Sequence, residues 1–372
     1  MSNVAPESKK VYVGFDVSQK NIEIFCVCGE KTSKGSVKIV NSKTAIQEFL
    51  GKFKKPQQVC VVMETGTHSA WMSRFIGNMG FEVLVAHARD LALIYASDKK
   101  NDSLDAEKLA RLAQADRKLL HPIEHMDEER QKDLIVLKTR SLLVKQRTQT
   151  VNSIRGHMRS LGLDDSELSI QNMKKNALPG LAKDIQELLS PLIQHLAHLN
   201  LEIELMDKKI SKLCRKYRTT EILQQVKGIG PAISLAFVLL VGDPRRFRNS
   251  AAVASYFGLV PRQNQSGNTD KPLGITKNGN SAMRTLLIQG AQYILGPFGE
   301  DSELRDFGKR IEARGGKIAK RKARVAVARK IVTLFYALLT HPEIPYETYH
   351  KRRRKKTSVA VSSPCTPEMK SA

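Results

Sequence analysis

Short apolar runs alternate with helically spaced positions over the first 120 residues. KVYVGFDVS (10–18) and NIEIFCVC (21–28) are rich in β-branched and aromatic residues and read as strands, and GSVKIVN (35–41) reads as a third. The short gap between the first two makes them antiparallel neighbours, with Ile22 and Ile24 or their alternates facing a core. AIQEFLGKF (45–53) has helical spacing, QQVCVVMET (57–65) is an apolar buried strand, SAWMSRFIGNMG (69–80) is a helix closed by glycine, and FEVLVAH (81–87) is another strand. DLALIYASD (90–98) and SLDAEKLARLAQAD (103–116) complete the region as helices. This βββαβαβα order predicts an α/β domain of ribonuclease H-like fold.

Strand signals then vanish. EERQKDLIVLKTRSLLVKQRTQTVNSIRGHMRSLG (128–162) is one long helical pattern, and 181–217 is a second in which Pro191 is expected to kink or divide the helix. Two long amphipathic helices joined by a polar break predict an antiparallel hairpin or coiled-coil arm. Lys138, Arg140, Lys145, Arg147, Arg155 and Arg159 lie on the first of them, either as a solvated face or as a nucleic-acid contact. From 219 to 342 the pattern is helical again, apart from an irregular insert at 258–280. The expected organisation is a flexible N-terminus (1–9), a ribonuclease H-like domain (10–122), a helical arm (123–217), a mainly helical C-terminal domain (218–345) and a basic disordered tail (346–372).

Composition narrows the partner. The 372 residues carry 61 Lys and Arg against 37 Asp and Glu, a net charge of +24, and a hydrophobic fraction of 41% that suits a globular chain. Such charge favours a polyanion, and nucleic acid over a membrane, because no apolar run approaches the roughly 18 residues that a span requires. The opening MSNVAPESKK has no apolar signal segment, so cytoplasmic placement, at the nucleoid of a bacterium or archaeon, is expected. Cys26, Cys28, Cys60, Cys214 and Cys365 have no zinc-site spacing, and neither they nor the pair His121 and His125 read as a metal site.

Four acids stand out. Asp16 ends the first strand, Glu64 ends the apolar strand VCVVME, and Asp102 and Asp105 lie three apart at a helix start, on one helical face. Each alone has a plainer reading: Asp16 in a turn, Asp102 as a helix N-cap with Asp105 at the third helical position. Together, in this order, they suit two-metal phosphoryl chemistry. That chemistry needs several hard carboxylate oxygens around two Mg²⁺ ions roughly 4 Å apart.

Three further segments point to nucleic acid. In QQVKGIGPAISLAFVLL (224–240) a short helix, Gly228-Ile229-Gly230 and a long apolar helix resemble a helix-hairpin-helix. Lys227, Gly228 and Gly230 are its candidate phosphate contacts, and a simple helix corner is the alternative. GKRIEARGGKIAKRKARVAVARKIV (308–332) holds ten Lys or Arg between 309 and 330 against one acid, Glu312, with Lys320, Arg321, Lys322 and Arg324 at its densest point. With KRRRKK (351–356) it supplies more than half of the net charge, as a phosphate-backbone surface would. Finally, PRQNQSGN (261–268) places Ser266 in a run of turn-forming residues, where it is a loop serine or a nucleophile.

Taken together, GFDVSQKNIEIF, METGTHS, KNDSLDAEKLA, KGIGPAIS, YFGLVPRQNQSGN and KNGNSAMRTLLIQGA resemble the DEDD insertion-sequence transposases. That group includes the Piv pilin-gene invertase and the bridge-RNA-guided recombinases, and the resemblance covers about residues 10 to 345. It implies a RuvC-like domain whose Asp16, Glu64, Asp102 and Asp105 bind Mg²⁺, and a serine transposase domain whose nucleophile is Ser266. It implies a covalent 5′-phosphoserine with a free 3′ hydroxyl, a guide (bridge) RNA pairing with donor and target DNA, and assembly as a dimer of dimers. Two rival expectations are a RuvC-like nuclease or junction resolvase that hydrolyses DNA with metal-activated water, and a non-catalytic nucleic-acid-binding protein.

Overall fold

The computed structural model describes residues 10–33, 35–87, 102–164, 182–262, 265–266, 269–270, 273–344 and 346. The predicted helix at 90–98, the N-terminal nine residues and the tail beyond 346 lie outside the described residues. Chain contacts divide the molecule into two compact units, residues 1–129 and 130–372. Among the described residues no helix is long and apolar enough to cross a membrane.

The first unit is a mixed sheet with helices on both faces. Its strands are β1 (Val11–Val17), β2 (Asn21–Cys28), β3 (Lys31–Thr32), β4 (Val37–Val40), β5 (Val59–Glu64) and β6 (Glu82–Ala86). The strand order is β3-β2-β1-β5-β6, with β4 also pairing with β2. β1 and β2 are antiparallel, whereas β1, β5 and β6 are parallel, as strands separated by crossover helices must be. Those helices are α1 (Lys43–Leu50) and α2 (Ser69–Asn78).

Period-two alternation sorts the side chains into two layers. Val13, Phe15, Ile22, Ile24, Val59, Val61 and Met63 face α1 and α2, where Ile46, Leu50, Met72 and Ile76 close the core. Each such fully buried side chain contributes about 1.5–3 kcal/mol of hydrophobic burial. The opposite face carries Tyr12, Cys60 and Val62, with Phe25 and Val27 on β2, and it is covered by α3 (Asp102–Ala115). Contact there is close enough to require Gly14. A Cβ on Gly14 would lie 2.0 Å from the Ala106 carbonyl oxygen, so any side chain would push α3 off the sheet.

The second unit is almost wholly helical. α4 (Glu128–Ser160) and α5 (Lys183–Lys216) pack antiparallel. Val151, Ile154 and Met158 meet Leu189, Ile193 and Leu196 at one end. Toward the other end the pairs are polar and recur every seven residues along α4. Arg147 Nη1 donates to Asn200 Oδ1 at 3.4 Å, Arg140 Nε to Asp207 Oδ1 at 2.5 Å, and Lys216 Nζ and Tyr217 Oη to Asp133 at 2.6 and 2.7 Å. Burial and the Asp133 carboxylate push the Tyr217 hydroxyl up to about 12. Pro191 does not divide α5, which runs unbroken through it for 34 residues. One lost N–H bond, at the Glu187 carbonyl, is outweighed by the apolar stripe that continues on both sides.

After α5 come α6 (Thr219–Gln224), α7 (Pro231–Val241) and α8 (Ser250–Tyr256), then a small hairpin of β7 (Gln265–Ser266) and β8 (Thr269–Asp270). α9 (Ser281–Leu295), α10 (Glu303–Glu312) and α11 (Gly316–Thr340) complete the unit. Phe237 of α7 anchors this core, with its ring 5.6 Å from Phe257 and 4.9 Å from Phe335. Within the insert expected to be irregular, several of the described residues pair. Pro261 bridges Ile275, Arg262 N–H donates to the Gly274 carbonyl, and Ser266 pairs with Thr269 across β7 and β8.

Candidate active site on the sheet and its nucleic-acid faces

The register of the parallel pair places the first two acids. Phe15 of β1 lies beside Met63 of β5, and one step further along both strands brings Asp16 beside Glu64. In register on parallel strands, the two side chains leave the sheet on the same face. That is the face covered by α3, since Phe15 and Met63 point into the other layer. Asp16 is half-buried and Glu64 exposed, after five buried residues in β5.

The direction of α3 places the others. Ala106 lies over Gly14, whereas Gln114 donates to the Gly29 carbonyl and Arg117, just past the helix end, reaches Tyr12 Oη and Glu82. α3 therefore runs antiparallel to β1, and its first turn lies at the strand ends that carry Asp16 and Glu64. Asp102 starts that turn; its side chain lies outside the described residues. Asp105 is half-buried and takes Lys108 Nζ at 3.3 Å. Among the described residues no three His, Cys, Asp or Glu side chains are close enough together to hold a metal ion. The four acids nonetheless offer carboxylate oxygens, a donor type that fits a hard divalent cation.

Two features of this region have weak sequence signals. Glu23 is the acid in the otherwise apolar strand NIEIFCVC; it lies directly across from Asp16 and is paired with Lys38. One acid within an otherwise apolar strand was the available signal. The other is a network behind Glu64: Ser69, 2% exposed, exchanges hydrogen bonds with Gly66 and contacts His125 Nε2 at 2.9 Å. Burial, and then the Arg74 guanidinium, hold His125 below its ordinary value of 6.5. The folded protein thus favours the neutral ring. Its contribution to stability is complete above about pH 6.5 and is lost as pH falls through the lower, folded-state value. The melting temperature of the wild type is expected to fall more steeply than that of His125→Gln on acidification from about pH 7.5 to about pH 5.5; equal slopes would show that His125 is not the group responsible.

In the second unit, Gly228 and Gly230 form the turn between α6 and α7, with Gly230 as N-cap of α7. Gly228 has φ +85°, and a Cβ there would lie 2.8 Å from Ile294 Cγ1, so both conformation and space demand glycine. A cleft of about 330 Å³ opens at this turn between Ile229, Tyr293 and Glu300. Lys227 is exposed and pairs with Glu300 at 3.1 Å. On α11, Lys320, Arg321 and Lys322 are exposed and Arg324 is half-buried, around a buried seam of Ala319, Ala323 and Val327. On α4, Arg140 and Arg147 are engaged with α5. Ser266 has its backbone in the β7–β8 hairpin; its side chain lies outside the described residues.

Residues 13–162 match the model of an IS110-type DEDD transposase, and residues 220–304 match the model described as Transposase IS116/IS110/IS902 family. The chain is 28% identical, over 89% of its length and 90% of the relative's, to the transposase for insertion sequence element IS1111A of Coxiella burnetii. It is 26% identical, over 77% of its length and 86% of the relative's, to a probable family 20 transposase of Pseudomonas aeruginosa. A pilin gene-inverting protein of Moraxella lacunata is 32% identical over 33% of this chain and 37% of its own. A ribonuclease H-like sheet of the DEDD type, which implies a divalent cation, and transposase matches along both units make this an enzyme that cuts and rejoins DNA. The chain belongs to the IS116/IS110/IS902 family of transposases.

Proposed function

We propose that the chain is an insertion-sequence recombinase, guided by a bridge RNA, that exchanges DNA strands through a phosphoserine. The observation that carries this reading is the alignment of Asp16 and Glu64 on one face of the sheet, beneath the end of α3 that begins at Asp102. Asp16, Glu64, Asp102 and Asp105 would hold Mg²⁺, two ions per composite site, which when bound would acidify the attacking hydroxyl and offset charge on the phosphate. Ser266, supplied by a partner protomer, attacks the DNA phosphorus through Oγ. The serine proton leaves to a base, the P–O3′ bond breaks, and O3′ departs as a hydroxyl once protonated. The phosphoserine keeps one phosphodiester bond in place of another, so an incoming 3′ hydroxyl reseals the strand without ATP.

Base pairing by the guide RNA would read donor and target sequence, leaving backbone contact to protein. Lys227 with the Gly228 and Gly230 amides, and Lys320, Arg321, Lys322 and Arg324 on α11, form the phosphate contacts. The α4–α5 pair acts as a coiled-coil arm that joins protomers into a dimer of dimers. Full-length protein given Mg²⁺ and a plasmid bearing the element's ends is expected to yield a protein–DNA adduct that survives SDS and disappears with protease. Sequencing the RNA that co-purifies should return one discrete species, and RNase treatment should stop cleavage. Cleavage that is indifferent to RNase would remove the guide from the proposal.

A further inference from the structure

Asp16 has an acid on each side. Glu64 is beside it on β5, and on the other edge of β1 its antiparallel partner is Glu23 of β2. Glu23 is in turn opposite Lys38 of β4. One row of side chains therefore crosses four neighbouring strands in the order Lys38, Glu23, Asp16, Glu64. Glu23 shares the face of the acids: Ile22 and Ile24 on either side of it point into the α1–α2 layer, while Phe25 and Val27 pack on Ala106 and Ala110 of α3.

This arrangement is costly on its own. Residues directly opposite across antiparallel strands have Cβ atoms about 5 Å apart, and like charges there repel. Glu23 is also largely shielded, at 15% side-chain exposure. Lys38 Nζ lies 3.2 Å from Glu23 Oε1, but the lysine is 60% exposed, so water screens much of its charge. A plain cross-strand ion pair would explain Glu23 and Lys38 without reference to Asp16. It would not explain a second carboxylate placed against the first on the face that also carries Glu64.

We propose that Glu23 is a positioning residue of the metal site. Held by Lys38, it adds fixed negative charge beside Asp16 and raises the site's affinity for a divalent cation, and Lys38 moderates that affinity by offsetting Glu23. The proposal rests on Asp16 and Glu64 as metal ligands.

The test is Mn²⁺ binding to the full-length protein, stripped of nucleic acid, followed by electron paramagnetic resonance. Glu23→Gln is expected to weaken binding about tenfold and Lys38→Gln to tighten it about threefold, as expected for charges acting through a partly screened medium. Glu23→Asp should recover most of the loss. In DNA cleavage the Mg²⁺ concentration for half-maximal rate should shift in the same two directions. A purely structural ion pair predicts no shift, or the same direction for both variants, and either result overturns the proposal. Asp16→Asn separates the two levels. If it abolishes Mn²⁺ binding while Glu23→Gln and Lys38→Gln leave it alone, Glu23 has no role in the site; if Asp16→Asn itself leaves binding intact, the metal site and the proposal fall together. Should Glu23→Gln fail to fold, the exposed Lys38→Gln variant still decides, by tightening or not.

Discussion

Replacing Asp16 with asparagine, or Glu64 with glutamine, is expected to lower DNA cleavage by about a hundred- to a thousandfold while leaving the melting temperature within a few degrees of wild type. The substitutions preserve shape and remove charge. Neither side chain belongs to the apolar layers: Glu64 is exposed at the end of β5, and Asp16 sits on the α3 face rather than among Val13, Phe15 and Met63. Folding free energy comes mainly from those layers, so it should barely change. Catalysis should change greatly, because charge stabilisation at a phosphoryl centre is worth several kcal/mol and about 1.4 kcal/mol is a factor of ten. The measurement is single-turnover cleavage of a plasmid substrate across a Mg²⁺ series, with circular dichroism melts as the control. Normal rates in a folded variant would remove the four-acid site from the mechanism.

The second large effect concerns Ser266. Ser266→Ala is expected to abolish the covalent protein–DNA adduct and to reduce rejoining by at least about a thousandfold, since no other hydroxyl takes its place in the chemistry. Its backbone lies in the β7–β8 ladder opposite Thr269, and alanine keeps the N–H and C=O groups of that pair. Loss of function would thus follow from the missing Oγ rather than from a collapsed hairpin. The end chemistry separates the proposal from its rival. If Ser266→Ala still cleaves and the product bears a free 5′ phosphate, a metal-activated water is the nucleophile and the enzyme works by hydrolysis. If cleavage and adduct vanish together, serine attacks the phosphorus.

Much of the first unit was legible because its strands are buried on both faces and so read as apolar runs. VYVGFDV, NIEIFCVC, VCVVME and EVLVA all appear at their expected places. The acids Asp16 and Glu64 were legible for the same reason, since a charge closing such a run is costly unless the strand end opens onto water or a cation. The two long helices were visible in their amphipathic spacing, but the continuity of α5 through Pro191 was not, because a proline's local cost carries no information about the tertiary packing that offsets it. The polar stretch PRQNQSGN reads locally as a turn; the pairing of β7 with β8 and the bridge from Pro261 to Ile275 rest on a register that composition leaves open.

The sequence by itself determined the long strands and helices, where the acids stand within them, and how strongly the chain favours a polyanion. Only the tertiary structure decided which side chains share a face. The parallel pairing of β1 with β5 joins residues 48 apart, and no local pattern encodes that offset. It is set by closure of two cores at once, one beneath α1 and α2 and the other beneath α3, and a slip of one residue would turn every side chain of the strand over. The same closure that buries Phe15 and Met63 in one layer sets Glu23, Asp16 and Glu64 side by side in the other, at the strand ends where α3 begins.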